Sequence, residues 1–142
     1  AWNRYTAPMM QTVVAGGEPS AEMRRVHDGC RRIVDTLLTS IRPGVTFDQA
    51  AQNAEKALQP LAGKVFFSGV FGYTVGAQFP PSWVEGSGFI ARGGNVEFRP
   101  GMVFHLPICL RIPGQWGIGC SETILVTDAG AEPITDNPWT LG

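Results

Sequence analysis

Apolar residues recur at Met23, Val26, Cys30, Ile33, Leu37 and Ile41, in steps of three and four. That spacing lays one stripe along one face of an α-helix. Arg24, Asp28, Arg31 and Asp35 fall on the opposite side, a mixed-charge pattern that reads as solvated surface. Pro19-Ser20 opens the helix, with Ser20 placed to cap it and Glu22 in the first turn. Arg42-Pro43-Gly44 ends it. A second helix opens at Thr46-Phe47-Asp48-Gln49, a capping box in which the hydroxyl takes the third residue's N–H and the Gln reaches back. Ala50, Ala54 and Leu58 continue its apolar face, and Pro60 and Gly63 stop it.

The texture on either side of the helices differs. Residues 3–16 read as extended, through Tyr5, Thr6, Val13 and Val14 to a break at Ala15-Gly16-Gly17. From Lys64 onward short apolar runs alternate with Gly and Pro: Val65–Phe67, Phe89–Ala91, Met102–Leu110 and Thr123–Val126. This is the pattern of antiparallel strands and loops. Gly86–Gly94 reads as a loop, and Asp128-Ala129-Gly130 as a turn into Pro133-Ile134. Strand, two helices, then sheet predicts an α+β fold for one domain over 1–142.

Composition narrows the function. The 142 residues are 44% hydrophobic and 16% charged with net charge −1. No Lys/Arg block supplies the positive surface that nucleic acid or an anionic membrane requires. No apolar run is long enough to span a bilayer. Cys30, Cys109 and Cys120 form no C-x-x-C motif and read as buried thiols of a reducing, cytoplasmic compartment. The first residues have no signal-peptide character and no initiating Met. We expect a fragment of a longer protein that pairs with its missing N-terminal part or forms a homodimer.

Several segments resemble, in order, the C-terminal half of the creatinase/aminopeptidase P (M24, pita-bread) family. They are Gly72-Tyr73-Thr74-Val75-Gly76, Gly101-Met102-Val103-Phe104 and Ile124-Leu125-Val126-Thr127 followed by Gly130-Ala131-Glu132. Arg42-Pro43-Gly44-Val45-Thr46 matches the turn between that family's helix pair. The resemblance implies a curved antiparallel sheet with flanking helices. It also implies where the family's peptidases hold metal. Their ligand His falls at Tyr73, one Glu at Pro107, a second Glu at Ser121 and an Asp at or near Pro8. Divalent ions want several oxygen or nitrogen ligands, and a close pair needs bridging carboxylates. The expectation is therefore no metal and no cofactor. Gly76-Ala77-Gln78-Phe79-Pro80-Pro81-Ser82-Trp83-Val84-Glu85, Phe104-His105 and Trp116-Gly117 look most like the metal-free ectoine hydrolase and creatinase-like members.

What the resemblance implies is hydrolysis of a non-peptide C–N bond in a small polar, amidine-like or ectoine-like substrate. The alternatives are an Xaa-Pro metallopeptidase and a non-catalytic peptide- or protein-binding module. His105, Glu85 and Glu122 are the expected proton-transfer and cation-binding groups, with Tyr73, Trp83, Gln78 and Ser121 as substrate contacts. Each also has a structural reading. His105 sits in an apolar strand and is either the acid–base group or a hydrogen-bonded core His. Glu85 is either held at a pocket edge by Pro80-Pro81 or solvated. Glu122 alternates away from Ser121 and Thr123, so it is a half-buried acid if inward and an edge carboxylate if outward. Tyr73 either binds substrate or fills the volume of the lost site, and Trp83 either stacks on a planar cation or packs on Phe79. His27 reads as lying on the polar flank of the first helix.

Overall fold

A computed structural model of the chain describes residues 2–3, 5–77 and 88–141. Helix α1 (Ala21–Ser40) begins as its sequence predicts, with the Ser20 hydroxyl accepting from Met23 N at 3.1 Å. Helix α2 (Phe47–Leu58) carries the full capping box: Gln49 N donates to Thr46 Oγ1 at 3.2 Å and Thr46 N to Gln49 Oε1 at 2.9 Å. A short 3-10 turn over Gln59–Leu61 follows, with Pro60 near its start.

The strands are β1 (Gly72–Thr74), β2 (Phe89–Ile90), β3 (Val103–Ile112), β4 (Trp116–Thr127) and β5 (Gly130–Pro133). They form one antiparallel sheet in the order β2-β1-β3-β4-β5. A long hairpin of β3 and β4 is its spine. It turns through Gly114, whose φ of 74° is left-handed, while Gln115 N donates to Ile112 O at 3.1 Å.

Alternation gives the sheet two unlike faces. Phe104, Leu106, Ile108 and Leu110 of β3 and Ile118, Cys120, Ile124 and Val126 of β4 are buried beneath the helices. They meet the stripe predicted for α1, with Val26, Cys30, Ile33, Leu37 and Ile41 all buried. Phe47 anchors the start of α2 against Phe98 and Phe104, with ring centroids 4.6 and 5.3 Å away. The loop after β2 is clamped to the same helix. Asp48 accepts from Gly93 N at 2.7 Å and Arg92 Nε at 2.8 Å, and Arg92 Nη1 reaches Glu55 at 3.0 Å. The Gly93 N–H first, and then the Arg92 guanidinium, holds the Asp48 carboxyl down at about 2.

Five expectations change. The described residues of 3–16 form isolated bridges, Tyr5 with Ala77 and Met10 with Ser121, rather than a strand. β2 falls within the Phe89–Ala91 run, inside the span Gly86–Gly94 read as a loop, and β4 begins at Trp116, well before Thr123. Gly117 and Gly119 alternate there with Trp116, Ile118 and Cys120, and a glycine on one face hides the period-two pattern. His27 is buried and meets the Trp139 ring edge-on at 6.3 Å, because the C-terminal tail packs over that flank of α1. Cys30 and Cys120 are buried as expected, whereas Cys109 is half-buried on the sheet's other face.

Candidate functional site

The face away from the helices carries the odd-numbered side chains of β3 and β4. Register sets them in rows: Tyr73 opposite His105 and His105 opposite Thr123, then Pro107 opposite Ser121, Cys109 opposite Gly119 and Arg111 opposite Gly117. The positions where the resemblance implies metal ligands thus converge. What converges there is different chemistry.

His105 is 6% exposed. Its Nδ1 lies 2.7 Å from Tyr73 Oη, and the rings meet edge to face with centroids 5.2 Å apart. Burial pulls the imidazole down to about 4, so it is neutral at physiological pH. A neutral imidazole has one N–H and one lone pair. With Nδ1 engaged by Tyr73, Nε2 is buried and has no hydrogen-bond partner among the described residues. The Ser121 hydroxyl, fully buried, is likewise without one. Ser121 and His105 are diagonal neighbours on adjacent strands, where side chains lie about 7–8 Å apart. Unpaired buried polar atoms cost about 1–3 kcal/mol each, so two on one patch of one face ask for a ligand that pairs them.

The edge of β4 beside this patch is sealed without a regular strand. Ser121 N donates to Met10 O at 2.9 Å, and Gly119 N to Thr12 Oγ1 at 2.8 Å. Thr123 Oγ1 donates to Pro8 O at 2.6 Å. Asn137 Nδ2 donates to both Met10 O and Ser121 O, at 3.0 and 3.1 Å. Residues 8–12 are thereby tied to β4 next to Ser121.

Glu122, expected to share proton transfer with His105, lies on the other face of the sheet from the patch. Its side chain shares the helix-facing side of the sheet with Leu106, its cross-strand partner, and it is 4% exposed. There it accepts from Thr135 Oγ1 and, at 3.1 Å, from Asn137 N. The alternation was legible; the partners were not, because they come from the tail. Asn137 was missed altogether, since an Asn in a Pro-flanked tail gives no periodic signal. Tyr73 is brought to the patch as the hydrogen-bond partner of His105. Gln78, Trp83 and Glu85 lie outside the described residues.

Among the described residues, the side chains at these positions do not make up the donor set of a divalent metal pair. Pro107 has no donor, the Ser121 hydroxyl is neutral and the Pro8 carbonyl is taken by Thr123. Among the described residues no group of three or more His, Cys, Asp or Glu side chains is placed to hold an ion.

Comparison with known proteins agrees with this architecture. The profile of Metallopeptidase family M24 matches residues 1–128. Ectoine hydrolase of Halomonas elongata is 30% identical over 143 residues, covering 99% of this chain and 34% of the relative. Xaa-Pro dipeptidase of Lactobacillus delbrueckii subsp. lactis is 26% identical over 134 residues, covering 92% and 34%. The crystal structure of X-Pro aminopeptidase from Thermotoga maritima superposes with a TM-score of 0.85 at 24% identity, covering 97% of this chain and 38% of that one. The chain therefore spans about a third of the length of the curated relatives it matches. Among the described residues no helix is long and apolar enough to cross a membrane.

Proposed function

The chain belongs to metallopeptidase family M24, and from that premise we propose that it forms part of a metal-independent hydrolase acting on a non-peptide C–N bond of a small polar substrate. The observation that carries this reading is a pair of buried atoms without a hydrogen-bond partner among the described residues: His105 Nε2, and Ser121 Oγ at a position where the resemblance implies a metal ligand. The 30% identity to an ectoine hydrolase supports the same direction.

In this reading the His105 Nδ1–H donates to Tyr73 Oη, leaving the Nε2 lone pair to accept a proton from an attacking water. A base near 4 is weak but stays unprotonated across the physiological range. The Ser121 hydroxyl donates to the polar group under attack. The proton then returns to the departing nitrogen as the C–N bond breaks and the C–O bond forms. Glu122 holds the tail and, through Asn137, the Met10 and Ser121 backbone; it carries no proton in the cycle.

Metallopeptidase chemistry is the competing reading, favoured by the Xaa-Pro dipeptidase among the relatives. It needs carboxylate ligands that the described residues do not supply. Elemental analysis with a turnover assay separates the two. The proposal expects no stoichiometric Mn, Co, Zn or Fe, no loss of activity to a chelator, and loss of turnover in His105→Ala. Stoichiometric metal with chelator-sensitive peptide cleavage overturns it. Ligand affinity without turnover points to a binding module.

A further inference from the structure

The N-terminal arm, residues 5–14, lies against the sheet with a period of two. Thr6, Pro8, Met10, Thr12 and Val14 are half-buried, and the odd positions between them are exposed. The even side chains therefore face the sheet. The arm's bonds give its path. Met10 O accepts from Ser121 N at 2.9 Å and Pro8 O from Thr123 Oγ1 at 2.6 Å, both on β4. Tyr5 bridges Ala77, three residues past the end of β1. β3 lies between β4 and β1, so the arm crosses it between Pro8 and Tyr5. The crossing is on the outer face, where the Thr123 side chain meets Pro8. Thr123 stands opposite His105, and Val75 N, two residues before Ala77, donates to Val103 O at 3.0 Å. Thr6 is thereby set over β3 in the stretch from Val103 to His105.

Among the described residues four buried side-chain polar atoms have no hydrogen-bond partner. One, His27 Nε2, lies on α1 beside the tail. The other three, Thr6 Oγ1, His105 Nε2 and Ser121 Oγ, belong to this one face. We infer that the arm is a strap that completes the site, with Thr6 Oγ1 as a third substrate contact beside His105 Nε2 and Ser121 Oγ, and that the group these three hold is uncharged and both donates and accepts hydrogen bonds, as an amide does. A neutral imidazole nitrogen takes an N–H, and a hydroxyl gives its proton to a carbonyl oxygen. The outward positions Val103, His105 and Pro107 of β3, and Leu125, Thr123 and Ser121 opposite them, carry no formal charge at physiological pH. Glu132, beside Leu125 on β5, lies within 3.1 Å of the Thr127 hydroxyl. A charged group buried here would go without a counter-charge among these positions, which is costly. The inference rests on the reading of His105 and Ser121 as a binding pair and deepens it, by naming the contact that selects the bound group.

Acetamide is the probe, titrated into the full chain and followed by 15N NMR at the His105 imidazole. A saturable shift is expected at Nε2, with Nδ1, held by Tyr73, moving less. Thr6→Val keeps the β-branched shape and removes the hydroxyl. It should weaken acetamide binding by roughly three- to tenfold. Its urea midpoint should stay or rise, because a buried unpaired hydroxyl is gone. Thr6→Ser should restore the affinity. No saturable shift in wild type overturns the inference, and so does equal affinity in wild type and Thr6→Val. A lower urea midpoint in Thr6→Val overturns it too, since the hydroxyl would then serve the fold. Acetate or acetamidinium binding as tightly as acetamide overturns the assignment of an uncharged group. Turnover lost in His105→Ala yet unchanged in Thr6→Val removes Thr6 alone. A hydrolase assay that fails while the acetamide results hold removes only the proposed reaction.

Discussion

His105 and Tyr73 face each other across β3 and β1, with Nδ1 and Oη 2.7 Å apart. This bond fixes which imidazole nitrogen is left for a ligand. Replacing Tyr73 with Phe leaves the ring in place and removes the hydroxyl, so both His105 nitrogens become unpaired. The variant should lose about 1–3 kcal/mol by urea denaturation. Its imidazole 15N spectrum should change from one tautomer to a mixture. A wild-type tautomer in the variant would show that Tyr73 does not orient His105.

Both histidines are buried, and both have pKa values below the ordinary 6.5, chiefly through burial; His105 reaches about 4. A folded-state pKa below the unfolded one means that the unfolded chain binds the proton more readily. The contribution is therefore complete above about pH 6.5 and is lost as pH falls toward 4. For His105 the loss is on the order of 3 kcal/mol at most. Urea unfolding from pH 7 to 4.5 should show the decline in wild type and a shallower one in His105→Gln. Parallel curves for the two proteins would remove His105 as its source.

The helical half of the fold was legible because its signals are local. Ser20, the Thr46–Gln49 box and the stripe from Met23 to Ile41 each specify structure within a few residues. Strand existence was legible in β3, an apolar run, and not at the start of β4, where Gly117 and Gly119 leave no side chains to read. In the site, the loss of ligand types at Tyr73, Pro107 and Ser121 was visible. The Tyr73–His105 bond was not, since it depends on register between residues 32 apart. His27 was misplaced for a related reason: the surface that buries it comes from Trp139, at the other end of the chain.

Glu122 accepts from Thr135 and Asn137, and Asn137 in turn holds the Met10 and Ser121 carbonyls. Glu122→Gln keeps the shape but turns one acceptor into an NH2 donor facing another donor. It should cost about 1–3 kcal/mol. It should also raise hydrogen exchange at the Ser121 amide, which donates to Met10 O, more than at amides of α1. The His105 tautomer should stay as in wild type. A shifted tautomer with unchanged stability would instead place Glu122 in the proton-transfer system.

The close approach of β1 to β3 depends on Gly72. A Cβ there would lie 2.7 Å from Leu106 Cδ2, 3.0 Å from Ile90 Cδ1 and 3.0 Å from the His105 carbonyl oxygen. The two side chains have some freedom to turn away, but the carbonyl is backbone inside the β1–β3 pairing and has little. Gly72→Ala should therefore push β1 outward, costing about 1–3 kcal/mol, and carry Tyr73 away from His105. Gly69→Ala is the control. Its Cβ meets open space, and only a φ of 84° opposes it, at about 1–2 kcal/mol. Both variants should be less stable, but only Gly72→Ala should disturb the His105 imidazole spectrum. The same disturbance from Gly69→Ala would mean that loop strain, rather than contact at β3, controls the pair.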